Sequence, residues 1–129
     1  MTDALKKKVL LVDDDSFLLN MYLLKFEKNN YEVLPASTAQ EAINKLKEGF
    51  KPDIIVCDII MPGMDGIEFI TTVKKERLAE SAKIVVLSNQ GDQADVDLAK
   101  KVGIDGYIVK ATSIPSEVVR LVQEVLDKK

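Results

Sequence analysis

Histidine is absent from the 129 residues. That absence excludes a Ser-His-Asp triad, a Cys-His pair, His-ligated zinc and an imidazole general base. It also means that the chain cannot carry a phosphoryl group on an imidazole of its own. Cysteine is nearly absent too. The lone Cys57 rules out an intramolecular disulfide, fits a reducing compartment and reads as a small core residue. Positive charge is not in excess, with 18 Lys+Arg against 21 Asp+Glu, so there is no electrostatic footprint for nucleic acid. Long apolar runs are missing as well. The first apolar run follows a polar, basic start and ends at three aspartates, too short for a signal peptide or a membrane helix. A soluble, cytoplasmic protein is expected. No linker or low-complexity stretch interrupts the chain, so residues 1–129 read as one domain. The chemistry left open belongs to carboxylates, lysines, hydroxyls or a hard metal.

What is present is an alternation. Five short apolar runs, Val9–Val12, Tyr31–Leu34, Ile54–Cys57, Ile84–Leu87 and Gly106–Val109, separate segments with helical spacing. Most of the runs are continuous Val, Ile and Leu, as strands covered on both faces are. The helical segments are Ser16–Lys28, Ala39–Glu48, Ile67–Arg77, Ala94–Val102 and Pro115–Leu126. Thr38-Ala39-Gln40-Glu41 has capping-box form, Asn29-Asn30 reads as a helix stop, and Gly49 and Gly103 sit where C-terminal caps belong. Pro115 suits a first helical turn. Asp92, Asp95 and Asp97 open the fourth helix and Lys100 and Lys101 close it, complementing its dipole. The alternation predicts an α/β fold, a doubly wound five-stranded parallel sheet with helices on both faces.

In such sheets, sites form outside the carboxyl ends of the strands. Asp13-Asp14-Asp15 end the first run, Asp58 the third, Ser88-Asn89 the fourth and Lys110 the fifth. Acids, a hydroxyl and an ammonium thus meet at one edge. Packing Asp13, Asp14 and Asp58 together is unfavourable without a neutralising partner. A hard divalent cation such as Mg²⁺ supplies one, using carboxylates and phosphate oxygens as ligands. Lys110 adds a point cation for a carboxylate or phosphoryl group. A carboxylate in such a place can attack phosphorus and form an aspartyl phosphate. Taken singly, each aspartate could equally cap the helix that follows, as Asp15-Ser16 could; the five residues together are poorly explained that way.

At these residues the chain closely resembles the receiver domains of bacterial two-component response regulators, in the stand-alone form of the chemotaxis regulators. The resemblance rests on Leu11-Val12-Asp13-Asp14-Asp15, on Asp53 through Gly66, on Ser88 and on Gly106-Tyr107-Ile108-Val109-Lys110. It implies a flavodoxin-like strand order 2-1-3-4-5 and a phosphoacceptor role for Asp58. It implies that Asp13, Asp14, Asp58 and the backbone carbonyl of Ile60 hold Mg²⁺, with Mn²⁺ as a substitute. It further implies that Lys110 contacts the phosphoryl oxygens and that Ser88 and Tyr107 form the switch pair. The implied donor is a histidine kinase or histidine phosphotransfer protein. The implied output is an altered contact with a downstream protein, without direct nucleic-acid or membrane binding, by a monomer or weak dimer. The chain ends with the fifth helix, so an output domain is not expected within it.

Three departures from the family pattern matter. Ala111 replaces the proline that usually follows the lysine. A cis bond there would cost about 2.5–4 kcal/mol, so a trans bond or a strained loop is expected. Asn89 is bulkier than the residue usual after the hydroxyl, which narrows access to the phosphate. Ile60 and Gln90 hold the positions that tune attack of water, and an apolar Ile60 cannot orient one, so a long-lived phosphorylated state is expected. On the first helix the apolar arc from Phe17 to Phe26 is wider than one core face needs, and Leu19 with Leu23 are expected to form an exposed docking patch. The alternatives are an unphosphorylated receiver-like interaction module and an aspartate-nucleophile phosphohydrolase. The second would want both acids near one strand end and a cap over the substrate. A flavodoxin-like cofactor binder fits poorly, because the first loop is acidic where a flavin phosphate needs backbone donors.

Overall fold

The computed structural model describes residues 6–88, 93–110 and 114–128. Strands and helices alternate: β1 Lys8–Val12, α1 Ser16–Lys28, β2 Glu32–Ala36, α2 Ala39–Lys47, β3 Ile54–Cys57, α3 Gly66–Lys75, β4 Lys83–Ser88, α4 Gln93–Val102, β5 Gly106–Val109 and α5 Pro115–Asp127. The five strands form one parallel sheet in the order β2-β1-β3-β4-β5, the order expected. Two apolar layers cover it. On one face Leu10, Val12, Ile55, Cys57 and Val86 meet Ile43, Leu46, Phe69, Ile70 and Val73 of α2 and α3. On the other, Val9, Leu11, Val56, Val85 and Leu87 meet Tyr22, Phe26, Val118 and Val122 of α1 and α5. The inner strands β1, β3 and β4 bury both faces, which is why their sequences are continuous rather than alternating.

Helix ends follow their local chemistry. Asp15 caps α1, its carboxylate accepting from the Phe17 and Leu18 amides, and Asn29 and Asn30 stop that helix, Asn30 at a φ of 70°. The Thr38 hydroxyl accepts from the Glu41 amide, but the Glu41 carboxylate turns to the amide and hydroxyl of Ser37 instead of closing a box with Thr38. The reciprocal capping box belongs to α3, between Asp65 and Glu68. Pro115 does open α5, yet the residue before it, Ile114, provides no side-chain cap. Asp92 lies outside the described residues.

Two further aspartates organise the opposite edge of the sheet. Asp53 accepts from the Lys8 amide at 2.8 Å, and Asp105 from the Ile84 amide at 2.8 Å. Each satisfies a strand-start donor that the ladder leaves open.

The second strand differs from its prediction, running from Glu32 to Ala36 where Tyr31–Leu34 was expected. Pro35 disfavours a strand reading, but β2 is an edge strand, where a missing amide is tolerated. Tyr31 instead packs edge-on against Phe26 and donates its hydroxyl to the Gln123 carboxamide of α5.

Candidate functional site

Register brings the acids together. Val12 pairs with Cys57 across β1 and β3, so the residues that follow, Asp13 and Asp58, leave the sheet side by side. The Asp58 amide donates to the Val12 carbonyl at 3.1 Å and fixes that position. Across β4 and β5, Ser88 pairs with Val109, so buried Ser88 lies next to the start of Lys110. Four of the residues read from the sequence, Asp13, Asp58, Ser88 and Lys110, are the buried polar and charged residues of the described chain.

Lys110 Nζ bridges the two buried carboxylates, at 2.6 Å from Asp13 Oδ2 and 3.1 Å from Asp58 Oδ2. The other oxygens are held by backbone. Asp13 Oδ1 accepts from the Asp15 amide at 3.0 Å, and Asp58 Oδ1 from the Ile59 amide at 2.7 Å. Both side chains are therefore oriented from two sides. Burial raises the Asp58 pKa above the usual carboxylate value; Lys110 opposes this and the neighbouring charge of Asp13 adds to it. For Lys110, burial alone would lower the ammonium pKa. The hydrogen bond that it donates to Asp13 and the charge of Asp58 outweigh it, so the group stays protonated beyond its ordinary range. Buried Cys57 has its thiol pKa driven up by the same desolvation, with Asp58 and Asp13 adding, which leaves it an inert core residue as expected.

Asp14 is exposed, and its carboxylate completes a group in which ligand oxygens of Asp13, Asp14 and Asp58 lie within 4.8 Å of one another. An all-oxygen set with one solvent-facing acid fits a hard divalent cation that retains several waters. Next to it, Ile60 is 58% exposed at the loop surface. Tyr107 is half-buried and packs on the α2–α3 side of the core. Asn89, Gln90 and Ala111, singled out in the sequence, lie outside the described residues.

These features match a known family over most of the chain. Residues 9–123 fit the response regulator receiver domain. The chain belongs to that family. The chemotaxis protein CheY of Thermotoga maritima is 42% identical over 120 residues, spanning 92% of this chain and 97% of that protein. The transcriptional regulator PhoP of Bacillus subtilis is 34% identical over 122 residues, 95% of this chain but 49% of that protein. The receiver thus spans about half the length of such transcriptional regulators. Among solved structures, CheY4 of Vibrio cholerae superposes with a TM-score of 0.86 at 29% identity, covering 93% of this chain and 98% of that one. The protein is a two-component response regulator receiver, and its sheet is the flavodoxin-like one of the CheY structures. Receivers are generally not classical enzymes, they interact with histidine kinases, and they typically bind Mg²⁺ in an acidic pocket such as this one. No helix among the described residues is long and apolar enough to cross a membrane.

Two features escaped the sequence reading. Leu19 and Leu23 are half-buried and pack against the α1–α5 side of the core, so they do not form the exposed patch expected of them. The exposed apolar side chains of α1 are Phe17, at 75%, and Leu24, at 55%. With Met21, Ile114 and Pro115, Leu24 lines a groove of about 480 Å³ between α1 and the start of α5, rimmed by Lys25 and Lys28. Helical spacing defines a face but not its direction; tertiary packing decides that, and here it turns Leu19 and Leu23 toward the core shared by α1, the sheet and α5. The second feature is Gly66, whose closeness to Asp58 no local pattern signals.

Proposed function

We propose that this chain, as one receiver domain over residues 1–129, accepts a phosphoryl group on Asp58. The donor is a phosphohistidine of a histidine kinase or histidine phosphotransfer protein. The observation that carries this reading is the pairing of a buried, backbone-oriented Asp58 with Lys110 at 3.1 Å, beside a cluster of acids on the neighbouring strand. In the step, an Asp58 carboxylate oxygen forms a bond to phosphorus while the phosphorus–nitrogen bond to the donor imidazole breaks, and the imidazole leaves with its electron pair and takes up a proton. Asp13, Asp14, Asp58 and the Ile60 carbonyl would hold Mg²⁺ or Mn²⁺, which when bound supplies neutralising charge for the transferring oxygens.

The remaining work belongs to the chain's own groups. Lys110 already bridges two carboxylates and can follow the new charge without leaving the site. Ser88, buried at the end of β4, is the hydroxyl within the same edge, and half-buried Tyr107 sits on the neighbouring strand β5, three residues before Lys110. Among the described residues α4 buries only Ala99, so α4 with β5 is the part that a new charge re-presents to a downstream protein. On this reading the chain acts in the cytoplasm, as a monomer or weak dimer, through protein contacts and not by direct binding of nucleic acid or membrane.

The test is incubation with acetyl phosphate or phosphoramidate and Mg²⁺, followed by intact mass measurement. A single phosphoryl adduct is expected, absent in Asp58→Asn and abolished by chelation. No adduct from any donor would overturn the reading in favour of an unphosphorylated interaction module, and multiple turnover on a phosphate ester would favour a phosphohydrolase.

A further inference from the structure

We infer that Gly66 is a positioning residue for Asp58, setting the main chain from which the phosphoacceptor and the Ile60 carbonyl project. The inference rests on the proposed role of Asp58 but concerns a residue that touches neither phosphoryl group nor metal. Gly66 is the first residue of α3, eight positions beyond the phosphoacceptor. Its amide donates to the Ile59 carbonyl at 2.7 Å, which ties the start of the helix to the residue directly after Asp58. Its α-carbon then lies so close to that turn that a Cβ would stand 2.0 Å from the Asp58 carbonyl oxygen and 2.8 Å from the Ile59 α-carbon. Both obstacles are main chain, so no side-chain rotation relieves them.

The φ of Gly66 is not of the left-handed kind, so close approach rather than backbone freedom requires glycine here. The turn is gripped from both ends. The Asp58 carboxylate accepts from the Ile59 amide at 2.7 Å, while the Asp65–Glu68 capping box seats the helix start. A side chain at position 66 has to separate α3 from the Asp58 peptide by about 1 Å or more. Misplacement of a reacting group by about 1 Å can lower a rate by ~10²-fold. Because Asp58 and Ile60 share that turn, metal affinity and phosphoryl uptake move together.

Gly63 provides an internal control. It lies in the same loop at a φ of 77°, and a Cβ there meets nothing within 4 Å. Gly63→Ala strains the loop without pushing on Asp58. The experiment measures Mg²⁺ affinity by calorimetry and the acetyl phosphate dependence of adduct formation in wild type, Gly66→Ala and Gly63→Ala, with unfolding curves for each. Gly66→Ala is expected to lose at least tenfold in Mg²⁺ affinity and 10- to 100-fold in phosphorylation rate, whereas Gly63→Ala loses stability but keeps both within about twofold. Should Gly66→Ala not fold, Asp65→Ala loosens the same helix start without adding atoms, and a severalfold loss of Mg²⁺ affinity is expected. Unchanged affinity and rate in the folded variant would overturn the inference. If wild type itself forms no adduct, the phosphoacceptor reading fails first, and the two failures are told apart.

Discussion

Removing the ammonium of Lys110 while keeping its bulk, as in Lys110→Met, would leave Asp13 and Asp58 facing each other without their shared cation. Its Nζ stands 2.6 and 3.1 Å from their oxygens, and all three side chains are less than one-tenth exposed. At an effective dielectric of 20, each contact carries a gross attraction of about 5–6 kcal/mol. Desolvation cancels much of that, and stripping one partner from a buried charge group costs about 3–5 kcal/mol net. For a domain of this size that corresponds to a fall in Tm on the order of 10–20 °C, measured at neutral pH in EDTA. Mg²⁺ should then restore more stability to the variant than it adds to wild type, since in wild type it competes with the lysine for Asp13. Saturation at a hundredfold excess over Kd adds about 2.7 kcal/mol. The assay is thermal unfolding of both proteins with and without Mg²⁺. A variant that loses less than about 1 kcal/mol in EDTA, or gains no more from Mg²⁺ than wild type, refutes the view that Lys110 is the internal neutraliser of this edge.

The raised pKa of Asp58 means that its ionisation opposes folding, so the group contributes stability below its unfolded pKa that is lost as pH rises through the folded one. Asp58→Asn should therefore unfold at a higher temperature than wild type at pH 7 in EDTA, with the difference shrinking on acidification below the folded pKa; an advantage that grows in acid would contradict the sign. Exposed Ile60 offers no hydrogen bond to an incoming water, so Ile60→Asn should lose its phosphoryl group about 10-fold faster, within the ~10²-fold that a positioned polar group supplies; equal decay rates would sink this. Phe17→Ser/Leu24→Ser should leave acetyl phosphate labelling and, within about 0.5 kcal/mol, stability unchanged, while weakening transfer from a protein donor roughly 30- to 150-fold through about 2–3 kcal/mol of lost apolar burial. By contrast Leu19→Ser/Leu23→Ser should lower Tm, because those side chains pack on the core. Equal phosphotransfer by both double variants and wild type would remove α1 from the docking surface.

Much of the site was legible because strands end where their apolar runs end. Val12, Cys57 and Val109 close three runs, and the residues after them are Asp13, Asp58 and Lys110. A parallel sheet puts consecutive strand ends on one edge, so topology alone converts those endings into proximity. The α1 and β5 boundaries were also read correctly from apolar spacing and flanking polar residues. What escaped was set by other parts of the chain. The true span of β2 depended on its edge position, which excuses Pro35. Helical spacing in the sequence begins at Ile67, one residue after the helix itself starts. In fact Gly66 is helical, and it is glycine because of a carbonyl eight residues earlier. The outward turn of Phe17 and Leu24 followed from which face of α1 packs on the core, which no local pattern encodes.

The bridge made by Lys110 also has a mechanical meaning. In the sheet β5 is the edge strand beside β4, and two strand spacings separate it from β3 and three from β1. The backbone ladder therefore carries no direct load between the edge strand and the centre. Lys110, extending from the end of β5 across β4 to Asp58 and Asp13, is a tether strung over the open end of the sheet. Its tension is set by charge and not by backbone pairing. Adding charge at Asp58 would pull on an edge strand and the chain leading to α5 while leaving the inner ladder at rest, so the domain can deform at its margin and keep its core as a fixed frame.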